Sequence, residues 1–287
     1  MQILENYSLK KANTWMIGGA AQRCLMPESL QELQTWIKKN PGEKLVWLGL
    51  GSNILLADDT LPITVVLSRT FLKNITREAD QWIIDAGVNC ARIARDCSNV
   101  GFRDAVFFCG IPGTLGGAVR MNAGAFGGET WRHIDWVEVL EPDGEVVRYD
   151  KSSFNVSYRH VDMPSDGWIV RAALTFRDQQ DTSQNALISA LLKKRMASQP
   201  IGVFSCGSVF KNPEGDYAAR LIEAVGLKGR RIGYAEVSEK HANFMINVDG
   251  LCTAQDMLAL MKLAQEEVYQ KFGIMLDPEV HCIGFDS

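Results

Sequence analysis

Gly110-Ile-Pro-Gly-Thr-Leu-Gly-Gly-Ala-Val-Arg-Met-Asn-Ala-Gly-Ala-Phe-Gly-Gly128 is the stretch on which the reading of this chain turns. Seven of its nineteen residues are glycine, and Ala118, Ala123 and Ala125 are little larger, so side chains are stripped away where backbone must come close to something. Glycine also admits positive φ, which lets successive N–H groups turn inward as an anion-binding concavity. Pro112 stiffens the run and Asn122 adds an amide. Thr114 to Met121 can start a short helix whose first amides would face the same anion. A diphosphate is the natural guest. The competing reading is a close crossing of two packed elements, which a lone Gly-Gly would favour and a run of this length does not.

The usual phosphate loops can be tested directly. A Walker A loop ends in Gly-Lys-Ser/Thr, and no lysine lies between Lys73 and Lys151. The best candidate for a Gly-x-Gly-x-x-Gly fingerprint, Gly49-Leu-Gly-Ser-Asn-Ile54, fails at its last position. A dinucleotide must therefore be held by another arrangement.

At 287 residues with 46% hydrophobic content, the chain can bury a core and is long enough for about two domains at ~150 residues each. Its net charge of −4, with both signs interspersed, offers no footprint for nucleic acid or an anionic membrane surface. A small-molecule partner is expected. No basic segment followed by an apolar run opens the sequence, and no stretch reaches the ~18 apolar residues of a membrane span, so a soluble cytoplasmic protein is expected. The seven cysteines are odd in number with no Cys-x-x-Cys, which argues against a disulfide framework or a structural zinc site. They read as small buried hydrophobes; Cys109 and Cys206, which border Gly-rich motifs, invite a redox role only weakly.

Periodicity supplies the elements. After an extended run to Met26, Pro27-Glu-Ser-Leu opens an amphipathic helix with Leu30, Leu33 and Ile37 on one face, followed by a strand over Lys44 to Leu50. That β-α-β unit ends in Gly51-Ser-Asn53. Alone this reads as a turn, yet ligands sit beyond the carboxyl ends of such strands. Strands are predicted over Pro62 to Ser68, Trp82 to Ala86, Ile134 to Leu140, Glu145 to Tyr149 and Trp168 to Phe176, with a helix over Asn89 to Asn99. Pro142-Asp-Gly-Glu145 marks a hairpin turn. Further helices are predicted over Ser183 to Ser198, Asp216 to Val225 and Thr253 to Phe272, the last with Met257, Met261, Ala264, Val268 and Phe272 as a core stripe. The fold class is α+β. Boundaries are expected at 1–68 (βαβ), 69–180 (a second subdomain closing over the first, with the dinucleotide between) and 181–287 (a substrate domain).

Gly110-Ile-Pro-Gly-Thr-Leu-Gly-Gly-Ala118 with Asn122-Ala-Gly-Ala-Phe-Gly127 resembles the flavin pyrophosphate loop of the UDP-N-acetylenolpyruvoylglucosamine reductase (MurB) family, within the vanillyl-alcohol-oxidase (PCMH-type) flavoproteins. Asn13-Thr-Trp15 with Gly18-Gly19, Leu48-Gly-Leu-Gly-Ser-Asn53, Tyr158-Arg159, Gly207-Ser-Val-Phe-Lys-Asn-Pro213, Lys240-His-Ala-Asn243 and Pro278-Glu279 resemble further family motifs in family order. The resemblance implies a two-subdomain FAD module plus a C-terminal substrate domain. FAD would be contacted by Asn13, Thr14, Gly49, Gly51, Ser52, Asn53, Gly110, Ile111, Pro112, Gly113, Thr114, Gly116, Gly117, Ala118, Asn122, Gly124 and Ala125. It implies that NADPH delivers hydride to FAD, which passes it to an enolpyruvyl ether on a UDP-sugar in peptidoglycan synthesis. Negative charge then grows beside a carboxylate and a proton is needed at the α-carbon. Ser208 resembles the proton donor, Arg159 the partner of the growing charge, and Glu279 the acid at the substrate's carboxyl end. Tyr158, Lys211, Asn212 and His241 resemble substrate contacts, and Arg195 would add to them. No metal is implied, and a monomer is favoured.

The sequence also departs from the pattern. Tyr158-Arg-His-Val161 lacks the usual serine, Tyr234 stands where the motif keeps backbone bare, position 219 is alanine, and Phe102-Arg-Asp-Ala105 replaces a Gly-Leu-Glu segment. The span Tyr158 to Ile169 is too short for the Tyr-bearing capping loop of some members. Two alternatives stay open: a flavin oxidase of the same fold acting on another substrate, and a non-catalytic flavin or nucleotide-sugar binding protein.

Overall fold

A computed structural model of the chain describes residues 1–285. By contact it divides into two units. One unit holds residues 1–4, 23–50 and 63–194; the other holds 5–22, 51–62 and the described residues from 195 onward. Mixed helix and strand in both gives the α+β class.

The first unit is built on a five-stranded antiparallel sheet in the order Val146–Asp150, Ile134–Leu140, Trp168–Thr175, Gln81–Asp85, Ile75–Glu78. Alternation fixes which face is buried: Val137 and Val139 are fully buried, while Glu138 between them turns outward. On that outer face the register lines up opposite charges across four strands. Glu138 accepts from Arg148 at 3.0 Å and Arg171 at 3.3 Å, and Arg171 Nε donates to Asp85 at 2.9 Å. Each is a directly opposed cross-strand pair, so the ladder adds to register specificity as well as stability.

Helices close the other face. α1 (Leu30–Lys39) starts at Ser29, whose hydroxyl accepts from Glu32 N, and buries Leu33 and Ile37 as the three-four spacing predicts. α2 (Cys90–Asn99) is capped by Asn89 and buries Ile93, Ala94 and Cys97. α3 (Leu115–Arg120) lies inside the Gly-rich stretch, and α4 (Asn185–Ser198) buries no residue. The strand Leu45–Leu48 pairs in parallel with residues 64–67 and is shorter than expected. The opening strand Gln2–Ser8 was not anticipated, because its burial pattern is almost wholly exposed.

His133 packs between Phe107, with ring centroids 5.7 Å apart, and Phe176, at 5.0 Å. Burial holds its pKa below the ordinary histidine value, although Asp104 at 3.9 Å pulls the other way. The unfolded chain therefore binds a proton that the folded chain resists. Its contribution to stability is full above the ordinary histidine pKa and falls as pH drops through it, at no more than about 1.4 kcal/mol per pH unit. His133→Phe should flatten the fall of Tm between neutral pH and about pH 5; an unchanged slope would assign that fall to other groups.

The second unit carries a four-stranded sheet in the order Phe204–Ser205, Met245–Asn247, Ala235–Val237, Arg231–Ile232. Two helices accompany it, α5 (Ala218–Ala224) and α6 (Ala254–Phe272). The methionine stripe is core as expected: Met257, Met261, Ala264 and Val268 are buried. α6 has a capping box between Thr253 and Asp256. A second cap comes from Asp58, whose carboxylate oxygens accept from Ala254 N at 2.9 and 2.8 Å. The strand Ile54–Leu56 pairs in parallel with His281–Ile283, which joins the middle and last segments of this unit. No helix of the described residues is long and apolar enough to cross a membrane.

Candidate active site

In the first unit the Gly-rich stretch is a docked loop, a helix turn and a tight two-residue strand pair. Gly113 O accepts from Cys90 N at 2.9 Å, and Thr114 bridges Asn89. The start of α3 differs from expectation. Leu115 N and Gly116 N donate to Val88 O and Ala86 O at 2.9 and 2.8 Å, so these amides anchor the helix to the protein instead of presenting themselves to an anion. Gly116 is bare for the same reason, since a Cβ there would sit 2.9 Å from Ala86 Cβ. Gly117 differs: exposed, with nothing within 4 Å of where a Cβ would stand. Two neighbouring glycines thus do different work. Gly49 is bare because Thr114 Oγ1 occupies its Cβ space at 2.2 Å, which ties two predicted cofactor positions to each other.

Asn122 is 3% exposed and takes a positive φ of 48°. Its Nδ2 donates to Ser157 O at 3.1 Å and Glu129 Oε2 at 3.4 Å, and its Oδ1 accepts from Trp131 N at 3.2 Å. The amide is therefore spent on shaping the loop. Gly124 and Ala125 pair with Glu129 and Gly128. Gly110 and Ile111 leave a short 3-10 turn and Pro112 is exposed, while Ala118 is buried against the core. Arg159 joins this loop. It sits at φ 56° in the two-residue turn Tyr158-Arg159 between paired Ser157 and His160. Its guanidinium donates to Asn122 O at 3.3 Å and Gly124 O at 2.9 Å. The ring of exposed Tyr158 lies 5.5 Å from the guanidinium carbon. His160, the departure next to it, is exposed with Nε2 2.7 Å from Asp162 Oδ1.

In the second unit three predicted motifs meet. The strand-like run from Ser208 crosses the Pro278-Glu279 segment: Lys211 N donates to Asp277 O and Glu279 N to Val209 O, both at 2.8 Å. Asn53 Nδ2 donates to Glu279 O at 3.0 Å, and His281 N to Asn53 O at 3.1 Å. Thr14 N donates to Gly51 O at 3.1 Å. So Thr14, the Gly51-Ser-Asn53 turn, Glu279 and Val209, the residue after Ser208, are joined in one hydrogen-bond network, although they lie far apart in the sequence. Gly51 must be glycine, because its φ is +67° and a Cβ would lie 2.2 Å from Ala12 O. Ser52 and Ser208 are half-buried, and Thr14 Oγ1 is buried with no hydrogen-bond partner.

The other predicted contacts are held in several ways. Asn13 is consumed by its own loop, with Nδ2 donating to Leu9 O and Ile17 O at 2.8 and 2.7 Å. Lys211 Nζ pairs with Asp277 at 2.8 Å, and Asn212 Oδ1 accepts from Ala218 N at the start of α5. Arg195 Nε donates to Gln199 at 2.8 Å. His241 packs edge-on against Phe244, its Nδ1 buried without a partner, and burial lowers its pKa so that the neutral ring is favoured. Tyr234, which stands where the motif keeps backbone bare, lies at a strand turn and is 46% exposed. Neighbouring Gly233 stays bare, as the Asp256 carboxylate fills its Cβ space. Asn243, in Lys240-His-Ala-Asn243, is a buried polar residue whose role the sequence does not show.

Six of the seven cysteines are buried, and Cys282 is exposed. Burial, then the nearby Glu279 charge, pushes the Cys206 thiol well up, which leaves it protonated and unreactive. A thiol reagent at about pH 8 should mark the native protein at Cys282, slowly because that thiol is also raised, and spare Cys206 and Cys109. Peptide mapping checks this; early modification of Cys206 would reopen a redox role. Among the described residues no group of three or more His, Cys, Asp or Glu could hold a metal ion.

Comparison with known proteins gives this geometry its context. Residues 21–150 match the family model of an FAD binding domain, and residues 199–283 match the C-terminal domain of UDP-N-acetylenolpyruvoylglucosamine reductase. A relative of that name from Alkalilimnicola ehrlichii is 46% identical over 96% of this chain and 93% of its own length. One from Coxiella burnetii is 43% identical over 97% and 95%. The crystal structure of the reductase (MurB) from Thermus caldophilus superposes with a TM-score of 0.81 at 30% identity, covering 98% of both chains. Each unit taken by itself has a feature that fits FAD: in the first, Gly117 keeps backbone open, and in the second, Thr14 holds a buried hydroxyl with no hydrogen-bond partner among the described residues. The chain belongs to the UDP-N-acetylenolpyruvoylglucosamine reductase family.

Proposed function

We propose that this chain reduces the enolpyruvyl ether of UDP-N-acetylglucosamine enolpyruvate to UDP-N-acetylmuramate, in the cytoplasm and as a monomer, with NADPH as the hydride source. The observation that carries the reading is the 43 to 46% identity to reductases of that name over nearly the whole chain. Bound FAD supplies the two-electron relay between NADPH and substrate. In the first unit the open backbone at Gly117 is a proposed FAD contact; in the second, the hydroxyl of Thr14 with Gly51, Ser52 and Asn53.

Ser208 supplies the proton at the α-carbon, and its hydroxyl can do so only where neighbours stabilise the alkoxide it leaves. Arg159 offsets the charge that grows on the substrate carboxylate, its guanidinium being a planar permanent cation oriented by the loop carbonyls of Asn122 and Gly124. Glu279 faces the carboxyl end of the substrate. Tyr158, Arg195, Lys211, Asn212 and His241 bind the nucleotide sugar. In functional terms the chain is proposed to comprise 1–68 and 69–180 for the flavin and 181–287 for the substrate.

An anaerobic absorbance titration tests the reading. NADPH should bleach the yellow protein, and the enolpyruvyl nucleotide should restore the colour without oxygen. Bleaching that only oxygen reverses would make it an oxidase of another substrate.

A further inference from the structure

Asn243 is 3% exposed, and both ends of its side-chain amide are spent on a single residue. Its Nδ2 donates to Phe210 O at 2.8 Å and its Oδ1 accepts from Phe210 N at 3.0 Å. Its own carbonyl accepts from Val209 N at 2.9 Å. The amide thus imitates a strand edge, offering a donor and an acceptor at the spacing of a peptide. The other edge of the same run is taken by Asp277 O and Glu279 N. Residues 209–211 are therefore gripped from both sides, Ser208 is the residue that enters the grip, and Glu279 is tied to it through Val209 O.

Only an amide side chain satisfies both backbone groups of Phe210. Removing it leaves a buried N–H and C=O without partners, so the strand would shift to recover them. The residue that moves with that shift is Ser208.

We propose that Asn243 is a positioning residue for the reduction, fixing the strand register that holds the Ser208 hydroxyl at its place relative to Glu279. The inference rests on the reading of Ser208 as proton donor. The rate of a positioned proton transfer is steep in distance, a misplacement of about 1 Å costing on the order of a hundredfold.

The test uses the FAD-loaded enzyme and measures its two half-reactions separately by stopped flow. Asn243→Ala should slow re-oxidation by the enolpyruvyl nucleotide about tenfold or more, with bleaching by NADPH unchanged. In a Ser208→Ala background that factor should vanish, because the two residues act through one group. A factor that persists there, or an equal slowing of both half-reactions, overturns the proposal by making Asn243 merely structural. Should Asn243→Ala fail to fold, Asn243→Ser, which keeps one small polar group, carries the same cycle. If Ser208→Ala by itself leaves re-oxidation intact, the proton-donor reading fails and this inference falls with it. A slow Ser208→Ala beside a normal Asn243→Ala sinks the positioning role alone.

Discussion

Ser208→Ala should leave the bleaching of the flavin by NADPH at its normal rate and slow re-oxidation by the enolpyruvyl nucleotide about a thousandfold, the middle of the range for losing a positioned general acid. The asymmetry follows from where a proton is needed. Bleaching moves hydride onto the cofactor and asks nothing of a serine hydroxyl, whereas completing the reduction of a carbon–carbon double bond requires a proton at the second carbon. The substitution is mild for the fold: Ser208 is half-buried, no side-chain hydrogen bond anchors another element to it, and the backbone grip on residues 209–211 is untouched. Equal loss of both half-reactions would contradict the role of proton donor and point to damage at the flavin.

Part of this site was legible in the sequence because it depends on local pattern. The stripe of Met257, Met261, Ala264 and Val268 follows the helical period, and all four are buried. Ordered motifs marked Ser208, Glu279 and Asn53, which the fold joins through Val209 O and Glu279 O. What the sequence could not show was which of the bare residues are bare for a ligand. Gly49 makes room for Thr114, and Gly116 for Ala86, a residue thirty positions earlier, so that distinction exists only in three dimensions. The start of α3 looked like an anion site, yet carbonyls of Ala86 and Val88 take its first amides. Asn243 is the same kind of case, since its partner Phe210 lies 33 residues away. Strands of two or three residues, such as Phe204–Ser205 and Ala235–Val237, are too short to carry a period at all. The division into units at 50/51 and 194/195 follows contacts between distant segments, and no change of composition marks it.

Gly117→Ala should raise the stability of the FAD-free protein and weaken FAD binding about a hundredfold, two effects of opposite sign from one methyl group. Gly117 lies in the first turn of α3 with no positive φ, so alanine fits the backbone and gains up to about 1 kcal/mol of helix preference. No atom of the described residues stands within 4 Å of the new Cβ, so none of them opposes it. The opposition must come from the guest. A methyl group that holds the diphosphate off the backbone loses one charge-assisted hydrogen bond at about 1.5–3 kcal/mol, which converts to roughly a ten- to 150-fold loss of affinity. Gly116→Ala is the contrast, because its Cβ would meet Ala86 Cβ at 2.9 Å and the FAD-free protein itself should melt earlier. Thermal melts without FAD and fluorescence titrations with it separate the two sites. A Gly117→Ala protein that binds FAD normally would show that the open backbone of this turn is not where the cofactor approaches, and the pyrophosphate would then have to be sought elsewhere along the Gly-rich stretch.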